Sequence, residues 1–332
     1  MDSALHITAF AARPDEQASF ARLEKELNLS IKYVKSNLGK DVVSEAQGSE
    51  GVTILGNCDA SAPVLEELAK LGVKFIASRS AGYNNIDLEA AKRLGMRVSN
   101  ARYSPHCVAD FAVMLALMVN RRVMVALKRN IGNDYSLPGI QGQEMENMTV
   151  GVMGTGRIGR TVISNLSGFG CKILAYDTFQ SEEVRSKATY VDLDTLLSES
   201  DIITLHMPLT EETRHIINKD TIAKMKTGVK LINTARGELV DTSALIEGLK
   251  SKKIAGAGLD VLEGELGVYH TDHRLDGVAN DQIAILKSLS NVVVTGHMAF
   301  YTDQAVDDMV SCGLTSLSDF IRKGAAACEI TC

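Results

Sequence analysis

Three polar segments follow strongly apolar runs in the second half of this 332-residue chain. Val229–Asn233 leads into Thr234-Ala235-Arg236-Gly237, Ile254–Asp260 into Val261-Leu262-Glu263-Gly264-Glu265, and Val292–Thr295 into Gly296-His297-Met298-Ala299. Each run reads as a strand of a parallel sheet, and in such sheets ligands gather beyond the carboxyl ends of the strands. An arginine, an acid and a histidine at successive strand ends suit the interconversion of a 2-oxo acid and a 2-hydroxy acid. Imidazole titrates in the range needed to protonate a developing alkoxide. An acid on the other ring nitrogen orients the imidazole and stabilises its charged form. Guanidinium offers a planar fork to the substrate carboxylate and polarises the neighbouring carbonyl. Taken singly, an arginine near a strand end is usually a surface ion pair, and a lone histidine is usually satisfied structure. The joint pattern carries the weight, and Glu263 and Glu265 both remain open as the acid.

A fourth segment supplies the redox partner. Thr149–Met153 reads as a strand, and Gly154-Thr-Gly156-Arg-Ile-Gly159 follows at once and opens an apolar helix. In this G-x-G-x-x-G spacing the first glycine permits the tight turn, the second lets a pyrophosphate approach the backbone, and the third allows close helix–strand packing. The helix N-terminus adds free N–H groups and partial positive charge. The next strand ends at Asp177, eighteen residues past Gly159, where an acid meets the adenosine ribose. A carboxylate there repels a 2′-phosphate, and Thr178-Phe179-Gln180 provide no arginine in its place, so NAD is favoured over NADP. FAD usually takes such a fingerprint at a chain's N-terminal end rather than in mid-chain. His206 ends its strand in Leu205-His206-Met207-Pro208 and suits backbone contact on the nicotinamide side. His270 and His273 read as a solvated loop, and His6, His106 and His215 have no context; no metal is assigned.

The elements that must position these residues alternate short β-branched runs with longer helical stretches. Candidate strands are Leu5–Phe10, Gly51–Leu55, Val73–Ala77, Thr149–Met153, Lys172–Tyr176, Asp201–His206, Val229–Asn233, Ile254–Asp260 and Val292–Thr295. Near-continuous apolar strands separated by helices indicate parallel sheets covered on both faces, an α/β class. The 27 glycines against 5 prolines fit many tight strand-to-helix turns. Ser104–Asn130 reads as one helix, with Ser104 as cap and Pro105 at the first helical position, apolar nearly all round and so buried in an interdomain core or a subunit interface. Gly132–Gly142 reads as a loop. A net charge of −6 and an aromatic content of 5% argue against nucleic acid or an anionic membrane as partner. The densest apolar stretch, Phe111–Val119, is well short of a membrane span. Met1–Phe10 lacks the pattern of a secretory leader. The six cysteines are scattered with no CxxC pair, Cys328 and Cys332 read as free thiols on a mobile tail, and a reduced cytoplasmic protein is expected.

The sequence resembles the D-isomer-specific 2-hydroxyacid dehydrogenases, and within them the D-lactate dehydrogenase branch, which includes enzymes for 2-hydroxyisocaproate and phenyllactate and the D-lactate dehydrogenases of vancomycin resistance. The likeness covers nearly the whole chain. Its most specific pieces are Arg79-Ser-Ala-Gly82-Tyr-Asn-Asn-Ile-Asp87, Tyr103-Ser-Pro105, Val152-Met-Gly-Thr-Gly-Arg-Ile-Gly159, Asn233-Thr-Ala-Arg236-Gly, Leu259-Asp-Val-Leu-Glu-Gly-Glu265 and His297-Met-Ala-Phe-Tyr-Thr302. The resemblance implies that Arg236 holds the substrate carboxylate, that Glu265 rather than Glu263 is the acid, and that His297 is the acid/base. It implies cofactor contacts at Arg157, Ile158, Asp177, Met207, Pro208, Thr213, Thr234, Ala235 and Asp260. Substrate contacts would fall on Ala81, Gly82, Tyr103, and Phe300 or Tyr301. It further implies two doubly wound parallel-sheet domains. A discontinuous, flavodoxin-like substrate domain would span 1–100 and 299–332, and a Rossmann NAD-binding domain 101–298. Catalysis would occur in the cleft as the domains close, in a homodimer joined through the nucleotide domain. The family pattern has proline before the catalytic histidine and often threonine after it, where this chain has Gly296 and Met298; glycine loosens that loop. Leu55, at a position where some relatives carry tyrosine or arginine, disfavours a dicarboxylate and admits a side chain bulkier than the methyl of pyruvate. The same family contains NADH-sensing transcriptional corepressors, so a binding protein with little turnover is the alternative. The short tail after about residue 322 favours the enzyme.

Overall fold

The computed structural model describes residues 4–330. Two compact units are present. One takes the chain up to Ser104 and the segment from Tyr301 onward, and the other is Pro105–Phe300. Each is built on a fully parallel sheet.

The first unit contains β1 (Leu5–Ala9), β2 (Leu29–Tyr33), β3 (Gly51–Ile54), β4 (Phe75–Ser78) and β5 (Arg97–Ser99), in the order β2-β1-β3-β4-β5. This is the flavodoxin-like doubly wound order. Apolar clusters line both faces. One includes Val52, Ile54, Ile76 and Val64, Leu65 and Leu68 of the helix Ala62–Lys70. The other sets Ile7 and Ala77 against Val310, Leu314 and Leu317 of the helix Asp303–Lys323. Neither β2 nor β5 is among the strands read from sequence. β2 is an edge strand with only Leu29 buried, and β5 is three residues long, so neither carries the continuous apolar run that marks the central strands. Arg79 is fully buried just past β4, its Nε 2.8 Å from Glu16 Oε1 and its Nη2 donating to the Phe10 carbonyl at 3.0 Å.

The C-terminal segment differs from the mobile tail expected. Gly324 takes φ +72° and ends the last helix, turning the chain back. Glu329 then forms an antiparallel bridge with Ser99 and an ion pair with Arg97, and Ile330 N–H donates to Val98 O at 2.8 Å. Cys328 is therefore held on the edge of the sheet; Cys332 lies outside the described residues.

The second unit contains β6 (Thr149–Met153), β7 (Lys172–Tyr176), β8 (Thr189–Tyr190), β9 (Ile202–Leu205), β10 (Val229–Asn233), β11 (Ile254–Leu259) and β12 (Val292–Val294), in the order β12-β11-β10-β9-β6-β7-β8. Winding reverses between β6 and β9, the switch point at which such sheets bind nucleotides. β9 and β10 are buried along their whole length, and clusters cover both faces of the sheet. The two-residue edge strand β8 escaped the sequence reading. The helix expected over 104–130 is two helices. The first runs His106–Asn120 with Pro105 in the cap position, and the second runs Val123–Ile131. Arg122, at φ +51°, breaks the helical path between them, and its Nη1 donates to Gly139 O at 2.9 Å. Among the described residues no helix is long and apolar enough to cross a membrane.

Candidate active site

The glycine loop follows β6 at the switch point. Gly154 has φ +90°, and a Cβ there would sit 2.6 Å from Met207 N. A Cβ on Gly159 would lie 1.9 Å from the Gly154 carbonyl oxygen, so the helix Arg157–Ser167 can pack this close to the loop only with glycine there. Gly156, by contrast, would point a Cβ into open space, and no side chain caps the first turn of the helix it opens. A pyrophosphate fits that arrangement, with Arg157 and Ile158 in the first turn. Asp177 closes β7. Its Oδ2 accepts from Thr155 N–H at 2.5 Å and Thr155 Oγ1 at 3.0 Å, and its Oδ1 from Phe179 N–H at 2.9 Å. Partial burial pushes this carboxyl up, but the N–H groups of Phe179 and Thr155 and the threonine hydroxyls outweigh it and hold it below the ordinary range. Asp177 is thus an anchored anion facing the loop.

Beyond β9, His206 Nε2 bonds Thr204 Oγ1 at 2.8 Å, while its buried Nδ1 has no partner among the described residues. Burial pushes the ring down to about 3, so it is neutral at physiological pH. Met207 is buried, and the exposed Pro208 accepts from Thr213 Oγ1 at 2.8 Å, which fixes the turn after it. Past β10, Thr234 Oγ1 is buried without a partner among the described residues, and Ala235 N–H is held by Asn233 Oδ1 at 3.0 Å. Two orphaned buried polar atoms, Nδ1 of His206 and Oγ1 of Thr234, fit a bound dinucleotide that supplies their partners.

Arg236 follows β10 in extended conformation. Its Nη1 donates to the Ala235 carbonyl at 2.6 Å and, among the described residues, it forms no ion pair. Gly237 next to it is required by packing, since a Cβ would lie 2.1 Å from Leu262 C. Past β11, the two acids diverge. Glu265 Oε1 is 2.5 Å from His297 Nδ1, and its Oε2 accepts from Leu262 N–H at 2.8 Å. Glu263 turns away, with Oε1 2.6 Å from His215 Nε2 and Oε2 accepting from Thr242 N–H and Oγ1 at 2.9 and 2.7 Å. Gly264, at φ +70°, lets the chain present the two acids in opposite directions.

The loop after β12 is held by Asp260, which is fully buried. Its Oδ1 accepts from Thr295 Oγ1 at 2.5 Å and Met298 N–H at 2.9 Å, and its Oδ2 from Ala299 N–H at 2.8 Å. Its carbonyl accepts His297 N–H at 2.7 Å. Both carboxylate oxygens thus serve the histidine loop, a task not read from sequence; an acid closing a wholly apolar strand was its signal, because such a group must find donors. The strain in this loop falls on His297 itself, at φ +51°, and not on Gly296. The His297 ring is about one-third exposed, and its Nε2 makes no hydrogen bond among the described residues. Phe300 stacks edge-on with its centroid 6.5 Å away, and His270 lies 6.0 Å away with Nε2 3.0 Å from the His297 carbonyl. His270 is thus a neighbour of this site rather than part of an isolated solvated loop. Among the described residues no three His, Cys, Asp or Glu side chains cluster as a metal site.

The remaining expected residues belong to the other unit. Asn100 Nδ2 donates to Ala81 O at 2.8 Å and Ser80 Oγ to Gly82 O at 2.7 Å, so that turn is pinned through its carbonyls. Tyr301 is half-exposed under the Arg13 guanidinium, 5.6 Å from its ring centroid. Leu55 is partly buried against the cluster around Ile54.

Known proteins match this arrangement. The NAD binding domain of D-isomer specific 2-hydroxyacid dehydrogenases matches residues 113–299. An aromatic 2-oxoacid reductase of Clostridium sporogenes is 45% identical over 99% of this chain and 100% of its own. The D-lactate dehydrogenase of Escherichia coli is 38% identical over 96% and 98%. The solved structure of a D-2-hydroxyisocaproate dehydrogenase superposes with a TM-score of 0.89 at 36% identity, over 99% of this chain and all of that one. All three are named as enzymes, which gives the corepressor alternative no support. A nucleotide-binding switch point followed by a histidine bonded to a glutamate, on a chain matched end to end by these enzymes, places this protein in the D-isomer specific 2-hydroxyacid dehydrogenase family, as an NAD-dependent oxidoreductase.

Proposed function

We propose that the protein reduces a 2-oxo acid, pyruvate or one with a bulkier aliphatic or aromatic side chain, to the D-2-hydroxy acid, using NADH. The observation that carries the chemistry is the 2.5 Å contact between Glu265 Oε1 and His297 Nδ1. It fixes the ring so that Nε2 is the nitrogen left to face a substrate oxygen, and it stabilises the imidazolium from which a proton is given. Bound NADH supplies the hydride that goes to the 2-oxo carbon. His297 Nε2 delivers the proton to the carbonyl oxygen, and in the reverse direction removes it from the hydroxyl. Arg236, without a carboxylate of its own, binds the substrate carboxylate through its planar fork and polarises the adjacent carbonyl. Gly154, Gly156, Arg157, Ile158 and Gly159 hold the pyrophosphate, and Asp177 the adenosine ribose. His206, Met207, Pro208, Thr213, Thr234, Ala235 and Asp260 line the remainder of the dinucleotide. Asp260 does so while also anchoring the histidine loop.

Substrate size rests on Leu55, at a position where some relatives carry tyrosine or arginine, and on a relative named for aromatic 2-oxoacids. The backbone of Ala81 and Gly82 and the side chains of Tyr103 and of Phe300 or Tyr301 are assigned to the substrate on the resemblance. The substrate domain is accordingly assigned to 1–100 and 299–332, and the cofactor domain to 101–298. NADH oxidation against pyruvate, 4-methyl-2-oxopentanoate, phenylpyruvate and 2-oxoglutarate tests the reading. Turnover is expected to be best with 4-methyl-2-oxopentanoate or phenylpyruvate; 2-oxoglutarate as best substrate would refute the role of Leu55, and no turnover with any would refute the function.

The assembly proposed is a homodimer through the cofactor domain. It is supported by exposed apolar side chains within residues 114–137, where Met114, Leu127, Ile131, Tyr135 and Leu137 are 39 to 86% exposed and Met114 and Leu127 line one groove with Val113, Leu117 and Met118. Sedimentation equilibrium at micromolar protein is expected to give twice the chain mass. Free thiols among the described residues support a reducing, cytoplasmic setting.

A further inference from the structure

We propose that Cys312 and Cys328 form a thiol–disulfide exchange site, which a low-molecular-weight disulfide oxidises to lock the C-terminal segment onto the edge of the first unit's sheet. The two sulfurs are 3.0 Å apart. Their meeting follows from the path of the chain. From Cys312 the last helix climbs eleven residues to Lys323, about 16 Å at the helical rise. Gly324 at φ +72° then reverses the chain, and a turn closed by Glu329 N–H on the Ala326 carbonyl at 3.2 Å carries Cys328 back against the helix. The segment is fastened on either side of Cys328. Asn100 N–H donates to the Cys328 carbonyl at 3.2 Å, Ile330 N–H donates to Val98 O, and Glu329 pairs with Arg97. Cys312 Sγ in turn lies 3.6 Å from the Asn100 carbonyl, so both cysteines close on the same residue of the main body.

Both thiols are half-buried, whereas Cys58, Cys107 and Cys171 are buried. Cys312 S–H donates to Cys328 Sγ at 3.0 Å, which makes Cys328 the sulfur that attacks first, and burial together with this neighbour pushes the Cys312 thiol up to about 11. In the first step the Cys328 thiolate bonds to one sulfur of the small disulfide, whose S–S bond breaks and releases one thiolate. In the second, Cys312 gives up its proton and bonds to Cys328 sulfur, expelling the second small thiol. Two protein thiols are oxidised, one disulfide is reduced to two thiols, and no other reactant is needed.

The test treats the full-length protein with excess oxidised glutathione, alkylates remaining thiols, and maps peptides by mass spectrometry. The expected product carries one Cys312–Cys328 link, is lighter than the dithiol by two hydrogens, and reverts with dithiothreitol. After trypsin cuts at Arg322 or Lys323, the tail peptide should stay attached until reduced. Amide exchange over Gly324–Ile330 should slow by about tenfold or more on oxidation. Cys312→Ser or Cys328→Ser should abolish the link and the slowing, and Cys332→Ser should leave both intact. A stable glutathione adduct on Cys328, a link that uses Cys332, or a link that leaves exchange unchanged would overturn the proposal.

Discussion

Glu263 engages one carboxylate oxygen with His215 and the other with the backbone and hydroxyl of Thr242, while Glu265, two residues on, holds His297. Two chemically identical side chains therefore lead to separable predictions. Glu265→Gln removes the charge that stabilises the imidazolium, and steady-state assays should show kcat falling by about 10²- to 10⁴-fold with NADH affinity unchanged. Glu263→Gln should leave kcat within about twofold but cost about 1–3 kcal/mol in urea unfolding, the scale of a lost charge-assisted bond in a partly buried site. The reverse pattern would exchange the roles. Sequence spacing left this choice to resemblance, because an E-x-E pair fixes no direction; the left-handed turn at Gly264 is what sends one acid to each histidine.

At the level of elements, the buried central strands were readable because continuous apolar runs have few other uses in a soluble chain. Edge strands β2, β5 and β8 were not, since two to five residues with few apolar side chains leave no such run. The break at Arg122 was equally hidden, because no glycine or proline marks it. The least legible element is the histidine loop. Its shape depends on a buried acid 37 residues earlier receiving three donors, and on a histidine accepting a left-handed backbone. Asp260→Asn keeps the volume but replaces an acceptor oxygen with a donor that faces Thr295, Met298 or Ala299 N–H. Urea unfolding should show a loss of about 2–3 kcal/mol, and kcat should fall with it. On the cofactor side, Gly154→Ala combines φ +90° with a 2.6 Å contact to Met207 N, and fluorescence titration should show NADH affinity weakened by about tenfold or more, a cost of about 1.4 kcal/mol.

For the molecule as a whole, the partly buried His206 ties stability to pH. Its folded value near 3 lies below the ~6.5 of an unfolded histidine, so between these limits the unfolded chain binds the extra proton. Its contribution is complete above pH 6.5 and drains away as pH falls toward 3, by at most about 1.4 kcal/mol per pH unit. Urea midpoints measured from pH 7 to pH 5 should therefore fall, and His206→Asn should flatten that slope; an unchanged slope would mean the ring is not held neutral. The proposed role of His297 Nε2, giving the proton that accompanies hydride transfer, is tested on His297→Gln. Phenylpyruvate reduction by this variant is followed as NADH oxidation, with NADH binding measured on the same sample. The expected kcat is lower by about 10³-fold with NADH bound as in the wild type. A variant that binds NADH normally and keeps kcat within about tenfold would contradict it.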